Sequence, residues 1–436
     1  MCVDATQPVP SGLTRRGVLA GAAALAGTVA ATGTATGTAS AAAPAGTVTG
    51  GGKGAGGART RSGDLVIRGG TLLDPATGHV TEDAVVVIQG GTVTAAGRAG
   101  SVRVPDGLPV LEAGGRWVLP GLTDAHIHLS TTAEARAALR CGVTSARSGS
   151  TSFYQDIAVR ELARHSPESA PRLRAAGVFV TPVLGDTILA DPDLTPLARS
   201  KDGVRSAEAL RRMVDVNAAR GADVIKTRVN ERAGLPDQDP LTQVYSHAQL
   251  SEIVAAARRH GKGVLCHSYS EKGCHDAVTA GIRSLEHGVF VGERTLREMR
   301  RRATYFTPTL TAIAGLAEDP DPILAERGRT FLPVLKRAVL AAYELGVPLA
   351  AGTDSSGGTV DPVGREVELM HAAGLPALDA LRTATTGAAR LLGLERTTGR
   401  LARGYAGDAI LLAGDPLADL SLLKTPVRVV RAGIPL

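Results

Sequence analysis

Short apolar runs of β-prone composition recur along the chain, and several end on a polar residue able to do chemistry. Trp117-Val-Leu-Pro-Gly-Leu122 leads into Asp124-Ala-His126-Ile-His128, Gly221-Ala-Asp-Val-Ile-Lys226 ends on a lysine, and Gly263-Val-Leu-Cys-His267 ends on a histidine. Gly281-Ile-Arg-Ser-Leu-Glu-His287 repeats the arrangement, and Gly346-Val-Pro-Leu-Ala-Ala-Gly-Thr-Asp354 delivers a carboxylate in the same place. Between these runs, Leu210, Met213 and Val214 return at helical spacing. Leu250, Ile253, Val254 and Ala257 line one face of a segment that opens on a Ser246/Gln249 capping box and stops near Gly261. Helices alternating with short strands predict a parallel sheet with helical crossovers. The expected fold class is α/β, in the form of a closed eight-stranded (β/α)8 TIM-type barrel, because the polar residues all sit at C-terminal strand ends, where such barrels build active sites. Outside this region, residues 64–73, 84–88, 409–412 and 427–430 read as further short strands separated by turn residues.

Side chains alternate faces along a strand, so His126 and His128 point to the same side and both imidazoles reach one ion. A lone His-x-His pair is weak, and the lysine, two histidines and aspartate downstream turn it into a description of a metal site. The other histidines carry a plainer reading. His165, His247, His260 and His275 lie in polar or helical surroundings, His79 in a turn before the barrel, and His371 on a helix surface. Without Cys2, which would go with the leader described below, three cysteines remain at 141, 266 and 274, which is no disulfide framework. Cys266 faces away from the His267 side of its strand and reads as core packing.

Taken in order, several segments resemble the amidohydrolase superfamily, close to its prolidase-like and imidazolonepropionase-like metal-dependent hydrolases. They are Leu119-Pro-Gly-Leu-Thr-Asp-Ala-His-Ile-His128, Gly142-Val-Thr-Ser145, Gly221-Ala-Asp-Val-Ile-Lys226, Cys266-His267, Leu285-Glu-His-Gly288, Thr307-Pro-Thr309 and Ala351-Gly-Thr-Asp354. Ala380-Leu-Arg-Thr-Ala-Thr385, Gly404-Tyr-Ala-Gly-Asp408 and Asp415-Pro-Leu417 extend the likeness beyond the barrel. The resemblance implies a binuclear site, with His126, His128 and Asp354 holding one divalent ion, expected to be Zn2+, and His267 and His287 the second. Lys226 would bridge them as an N-carboxylated lysine, since a free ammonium has no lone pair and repels cations. Without that modification the expectation becomes a mononuclear site of His126, His128, His267 and Asp354. Asp354 would be the catalytic proton acceptor. Arg228 and Arg147 are candidate anchors for a substrate carboxylate, with a salt bridge between loops as the plainer alternative, and Tyr269 is a candidate hydrogen-bond donor or a packing residue. The family also implies that the terminal strands form a small β-sandwich. The layout expected is a barrel over 119–390 and a composite β-sandwich over 64–118 and 391–436.

Composition narrows the partners. The formal net charge of the 436 residues is +6, but residues 1–63 hold Arg15, Arg16, Lys53, Arg59 and Arg61 against Asp4 alone, so most of the excess belongs to the leader. With only 3% aromatic residues for base stacking, nothing speaks for nucleic acid. Thr14-Arg15-Arg16-Gly-Val-Leu19, a short apolar and Gly-rich stretch and Ala39-Ser-Ala41 resemble a twin-arginine export signal over 1–41, followed by a Gly/Ala-rich linker over 42–63. The apolar stretch is too short and Gly-rich for a membrane anchor. The reading is an exported metal-dependent hydrolase of a small amide substrate such as a dipeptide, an N-acyl amino acid or a cyclic amide, with the twin-arginine machinery as partner and homo-oligomerisation left open. Action on esters, lactones or phosphotriesters is the alternative within hydrolases, and a non-catalytic binding protein the alternative outside them.

Overall fold

A computed structural model describes residues 63–185 and 191–436. The expected export signal and linker fall outside these residues, apart from Gly63. Fifteen strands run through the described chain. β1 (Leu65–Asp74), β2 (His79–Gln89), β3 (Thr92–Arg98), β4 (Val110–Glu112) and β5 (Trp117–Pro120) come first. β6 (Leu122–Ile127), β7 (Val143–Ser148), β8 (Arg172–Arg174), β9 (Ile225–Arg228), β10 (Val264–Ser268), β11 (Ser284–His287) and β12 (Tyr305–Thr307) alternate with helices, and β13 (Ala409–Leu412), β14 (Arg428–Arg431) and β15 (Ile434–Pro435) close the chain.

The first and last groups share one mixed sheet in the order β15-β14-β13-β5-β1-β2-β3, with β4 on β1. Alternation along β1 and β2 sends Ile67, Val86 and Ile88 into one apolar cluster and Val66, Val85 and Val87 into another, so both faces are covered. The union of N- and C-terminal strands appears as this single connected sheet. A second facing sheet, as a sandwich needs, is not formed as a separate element among the described residues.

β6-β7-β8 and β9-β10-β11-β12 form two parallel sheets. Apart from β8, every residue of these strands is buried, as in strands covered by helices on the outside. Helices Ala207–Ala219, His247–Arg259 and Glu271–Ala280 supply part of that cover. The predicted cap is present: Ser246 Oγ accepts from the Gln249 N–H while Gln249 Oε1 accepts from the Ser246 N–H at 2.9 Å. An equivalent box, Thr131 with Glu134, starts the helix Thr132–Arg140 directly after the His-x-His strand. No closed eight-stranded ladder is present among the described residues. Single backbone contacts bridge the two sheets: Val180 N to Lys226 O (2.9 Å), Phe306 N to Pro348 O (2.9 Å), Ala125 N to Ala351 O (2.8 Å) and Asp354 N to His126 O (2.7 Å). Residues 346–354, expected as a strand, pair only through an isolated bridge between Leu349 and Phe306, where Ala350 N also donates to Phe306 O at 3.0 Å, and the segment ends on Asp354 with a left-handed φ of 58°.

Candidate metal centre

β6 carries His126 near its end, with His128 two residues on, and their ring centroids lie 5.6 Å apart as same-face neighbours should. β9 brings Lys226, β10 His267 and β11 His287, in register such that Leu265 pairs with Lys226 and Ser268 with His287. Asp354 arrives beside them through its backbone bond to His126. The structure therefore gathers all six expected metal-site residues: His126 is 5.4 Å from His287 and His287 4.5 Å from His267 between ring centroids, and Lys226 Nζ is 3.2 Å from His126 Nε2. All except His128, which keeps slight exposure, are buried.

Hydrogen bonds fix the ring orientations. His126 Nδ1 lies 2.6 Å from Glu286 Oε2, and His128 Nδ1 lies 2.7 Å from the Ser150 carbonyl. A carbonyl only accepts. Glu286 is ionised as well: burial alone would raise its pKa, but the Arg147 guanidinium and the His126 bond outweigh it and push it down to about 2. Both Nδ1 atoms therefore carry hydrogen, and both Nε2 atoms face Asp354 Oδ1, at 3.2 Å from His126 and 3.0 Å from His128. His287 Nδ1 pairs with Thr309 Oγ1 at 2.7 Å, and His267 Nε2 donates to the Glu231 carbonyl at 3.0 Å.

Two imidazole nitrogens and a carboxylate oxygen converging in a buried site, beside Lys226 Nζ, are a donor set of the kind that holds a divalent cation. The donor atoms of His126, His128 and Asp354 all lie within 4.8 Å of one another, which fits one divalent ion. His267, His287 and Lys226 border that group without belonging to it. Gly149 keeps the approach open, since a Cβ there would come within 2.5 Å of His128 Nε2 and 2.7 Å of His126 Nε2. Three non-glycine residues of this patch, His287, Thr309 and Asp354, hold left-handed φ values of 52–67°.

Arg147 and Arg228 take up the plainer of their two readings. Arg147 is 2% exposed and spends its guanidinium on the Ala125 carbonyl (2.7 Å), Ser284 Oγ (2.8 Å) and Glu286 (2.9 Å). Arg228 is buried against Thr181 Oγ1 and pairs with Glu231, fixing the loop whose carbonyl holds His267. Tyr269 stacks on His287 at 5.2 Å and meets His267 edge-on at 4.8 Å, with Phe331 beyond it at 6.2 Å. The sequence reading assigned no role to Glu286, Thr309 or Asp124. Asp124 accepts from the His126 N–H and from the Thr353 N–H and hydroxyl, tying β6 to the Asp354 segment, and burial raises its pKa to about 6 despite those bonds. Each lies inside a motif quoted above, and an acidic residue beside a ligand histidine is the signal that could have marked Glu286.

A family described as the amidohydrolase family matches residues 117–434. Ochratoxinase of Aspergillus niger is 30% identical over 231 residues, which cover 52% of this chain and 47% of that protein, so the match spans about half the length of this relative. Imidazolonepropionase of Hyphomonas neptunium is 27% identical over 365 residues, 74% of this chain and 86% of that one. Among solved structures, a Xaa-Pro dipeptidase with bound methionine in the active site superposes with a TM-score of 0.76 at 24% identity, covering 86% of this chain and 99% of the other. That likeness gives an α/β, TIM-barrel-like fold.

Proposed function

The chain belongs to the amidohydrolase family, and from that premise we propose that it is an exported, metal-dependent hydrolase that cleaves an amide-type C–N bond in a small substrate: a dipeptide, an N-acyl amino acid or a cyclic amide. The observation that carries the reading is the convergence of His126 Nε2, His128 Nε2 and Asp354 Oδ1 in a buried patch. His126, His128 and Asp354 would hold one ion, and His267, His287 and an N-carboxylated Lys226 a second, with zinc as the expected metal. Such ions, when bound, lower the pKa of water towards neutrality and polarise a carbonyl.

The remaining chemistry belongs to the side chains. Asp354, held by its backbone bond to His126, is placed to accept the proton of the attacking water and return it to the leaving nitrogen, which departs poorly unless protonated. Glu286 and the Ser150 carbonyl hold the two imidazoles in the tautomer that leaves Nε2 for metal. Tyr269, stacked on His287, forms one wall of the site.

The two parallel sheets are taken as arcs of one closed barrel, a reading supported by the four bridging backbone bonds, with the mixed sheet as the remnant of a sandwich. Export rests on the Arg15-Arg16 leader. Among the described residues no helix is long and apolar enough to cross a membrane. The test is a panel of dipeptides, N-acyl amino acids, cyclic amides, lactones and phosphotriesters, assayed with the metal-supplemented and the chelator-treated protein. Metal-dependent turnover of a C–N substrate above the esters is expected. Preference for a lactone or phosphotriester overturns the bond assignment, and no turnover of any class favours a binding protein.

A further inference from the structure

At the N-terminal ends of β9, β10 and β11, away from the metal ligands, lies a cavity of about 410 Å³. Its polar side chains are Arg147, Arg174, Lys262, Arg283 and Arg390 against one carboxylate, Asp223, and the rest of its lining is apolar or glycine. The single acid is already engaged: Asp223 Oδ2 accepts from Arg160 at 2.8 Å and from the Ala175 N–H at 2.9 Å, and Arg174 comes no closer to it than 4.0 Å. Arg147 is balanced by Glu286. Lys262, Arg283 and Arg390 form no salt bridge with any described residue, and Arg283 rests on the Tyr305 ring at 4.8 Å. Three unbalanced cations around a concave, partly apolar wall focus a positive potential into the cavity. This is the chemistry that takes a small polyvalent oxyanion, not a neutral ligand.

The cavity also has a route to the metal centre. Arg147 lines it, donates to Glu286 Oε1 at 2.9 Å, and Glu286 Oε2 holds His126 Nδ1 at 2.6 Å. We propose that this cavity is an effector site for a small sulfate- or phosphate-like dianion, coupled to the metal centre through Arg147, Glu286 and His126. A dianion beside Arg147 draws the guanidinium charge away from Glu286. The carboxylate then accepts more strongly from His126 Nδ1–H, which makes Nε2 a better donor to metal. Binding is reciprocal, so metal loading tightens the anion site by the same factor.

Sulfate is the probe, because it is a poor ligand for divalent metals. Equilibrium dialysis of labelled sulfate against the metal-loaded protein, at constant ionic strength, should give saturable binding of one anion per chain. A Lys262→Ser/Arg390→Ser double variant, which touches neither the metal centre nor a salt bridge, should weaken it by roughly tenfold. Chelator competition should show metal held about fivefold more tightly in saturating sulfate, with no such change in the double variant. Selenate soaked into crystals should give one anomalous peak in the cavity. No saturable binding, equal affinity in the double variant or a peak elsewhere overturns the site, whereas binding without a change in metal retention overturns the coupling. Sulfate binding involves no turnover and is judged apart from the hydrolase reading, while the coupling rests on the metal centre of that reading.

Discussion

Replacing Glu286 by glutamine keeps the volume of the side chain and removes its charge from between Arg147 and His126. The guanidinium of Arg147, 2% exposed, would then lose its only acidic partner among the described residues. Breaking a buried pair by removing one member costs about 3–5 kcal/mol. An independent route gives a similar figure: the Glu286 pKa moves from 4.5 to about 2 on folding, and at about 1.36 kcal/mol per unit that is roughly 3 kcal/mol. Unfolding entropy of about 2.1 cal/mol/K per residue gives roughly 0.8 kcal/mol/K for a body of about 370 residues, so Tm should fall by about 4–6 °C. The sign with pH follows from the lowered pKa. The contribution is complete above the unfolded value of 4.5 and disappears as pH falls towards about 2, so the gap between wild type and variant should be constant near neutrality and close across that acid window. With His126 Nδ1 no longer held by a carboxylate, metal affinity should drop by about 10–100-fold. Calorimetry across pH and chelator competition read the two effects. Unchanged Tm together with unchanged metal retention would refute the argument that Glu286 holds both Arg147 and His126.

Asp354→Asn should abolish turnover while the circular dichroism spectrum and most of the bound metal survive; hydrolysis at the wild-type rate would remove Asp354 from the mechanism. Gly149→Ala places a methyl group within 2.7 Å of both His126 Nε2 and His128 Nε2, so elemental analysis should find the ion of His126 and His128 lost with little change in Tm, and full metal content would show that these two nitrogens do not hold it. Glu366, buried under the amides of Leu310 and Thr311, has its pKa raised by burial to about 7. A raised acid costs stability as pH climbs from 4.5 to about 7, so Glu366→Gln should gain on wild type by an amount of the order of 3 kcal/mol between pH 5 and pH 8. Parallel pH profiles of Tm for the two proteins would contradict the shift.

The strands that carry the candidate site were legible because each pairs a buried apolar run with a polar end, and that contrast is local in sequence. His126, Lys226, His267 and His287 all stand on strands where the runs place them. The Ser246 and Gln249 cap was readable for the same reason, since its partners are three residues apart. Residues 346–354 looked equally strand-like, but ladder formation depends on φ at Asp354 and on the neighbours available, which composition does not encode. Arg147 and Glu286 lie 139 positions apart, and nothing near either residue announces the other. In sequence Arg147 therefore stays open between a substrate anchor and a salt bridge, and only the structure shows its guanidinium engaged with Ala125, Ser284 and Glu286. Val85, Val86, Val87 and Ile88 read in sequence only as one apolar β run; that they divide between two clusters on opposite faces of the mixed sheet, and whether that sheet acquires a facing partner, depends on packing between distant segments, which composition does not encode.

Elemental analysis of the purified, metal-supplemented protein beside His126→Ala and Lys226→Ala variants tests the metal centre most directly. About two divalent ions per chain are expected, falling on loss of His126 and on loss of Lys226, since the first would hold one ion and the N-carboxylated lysine would help to hold the pair. One ion indifferent to Lys226 would reduce the site to its mononuclear form. A wild-type protein that retains no divalent ion, or a His126→Ala variant that retains as much as wild type, would show that these residues form no metal centre.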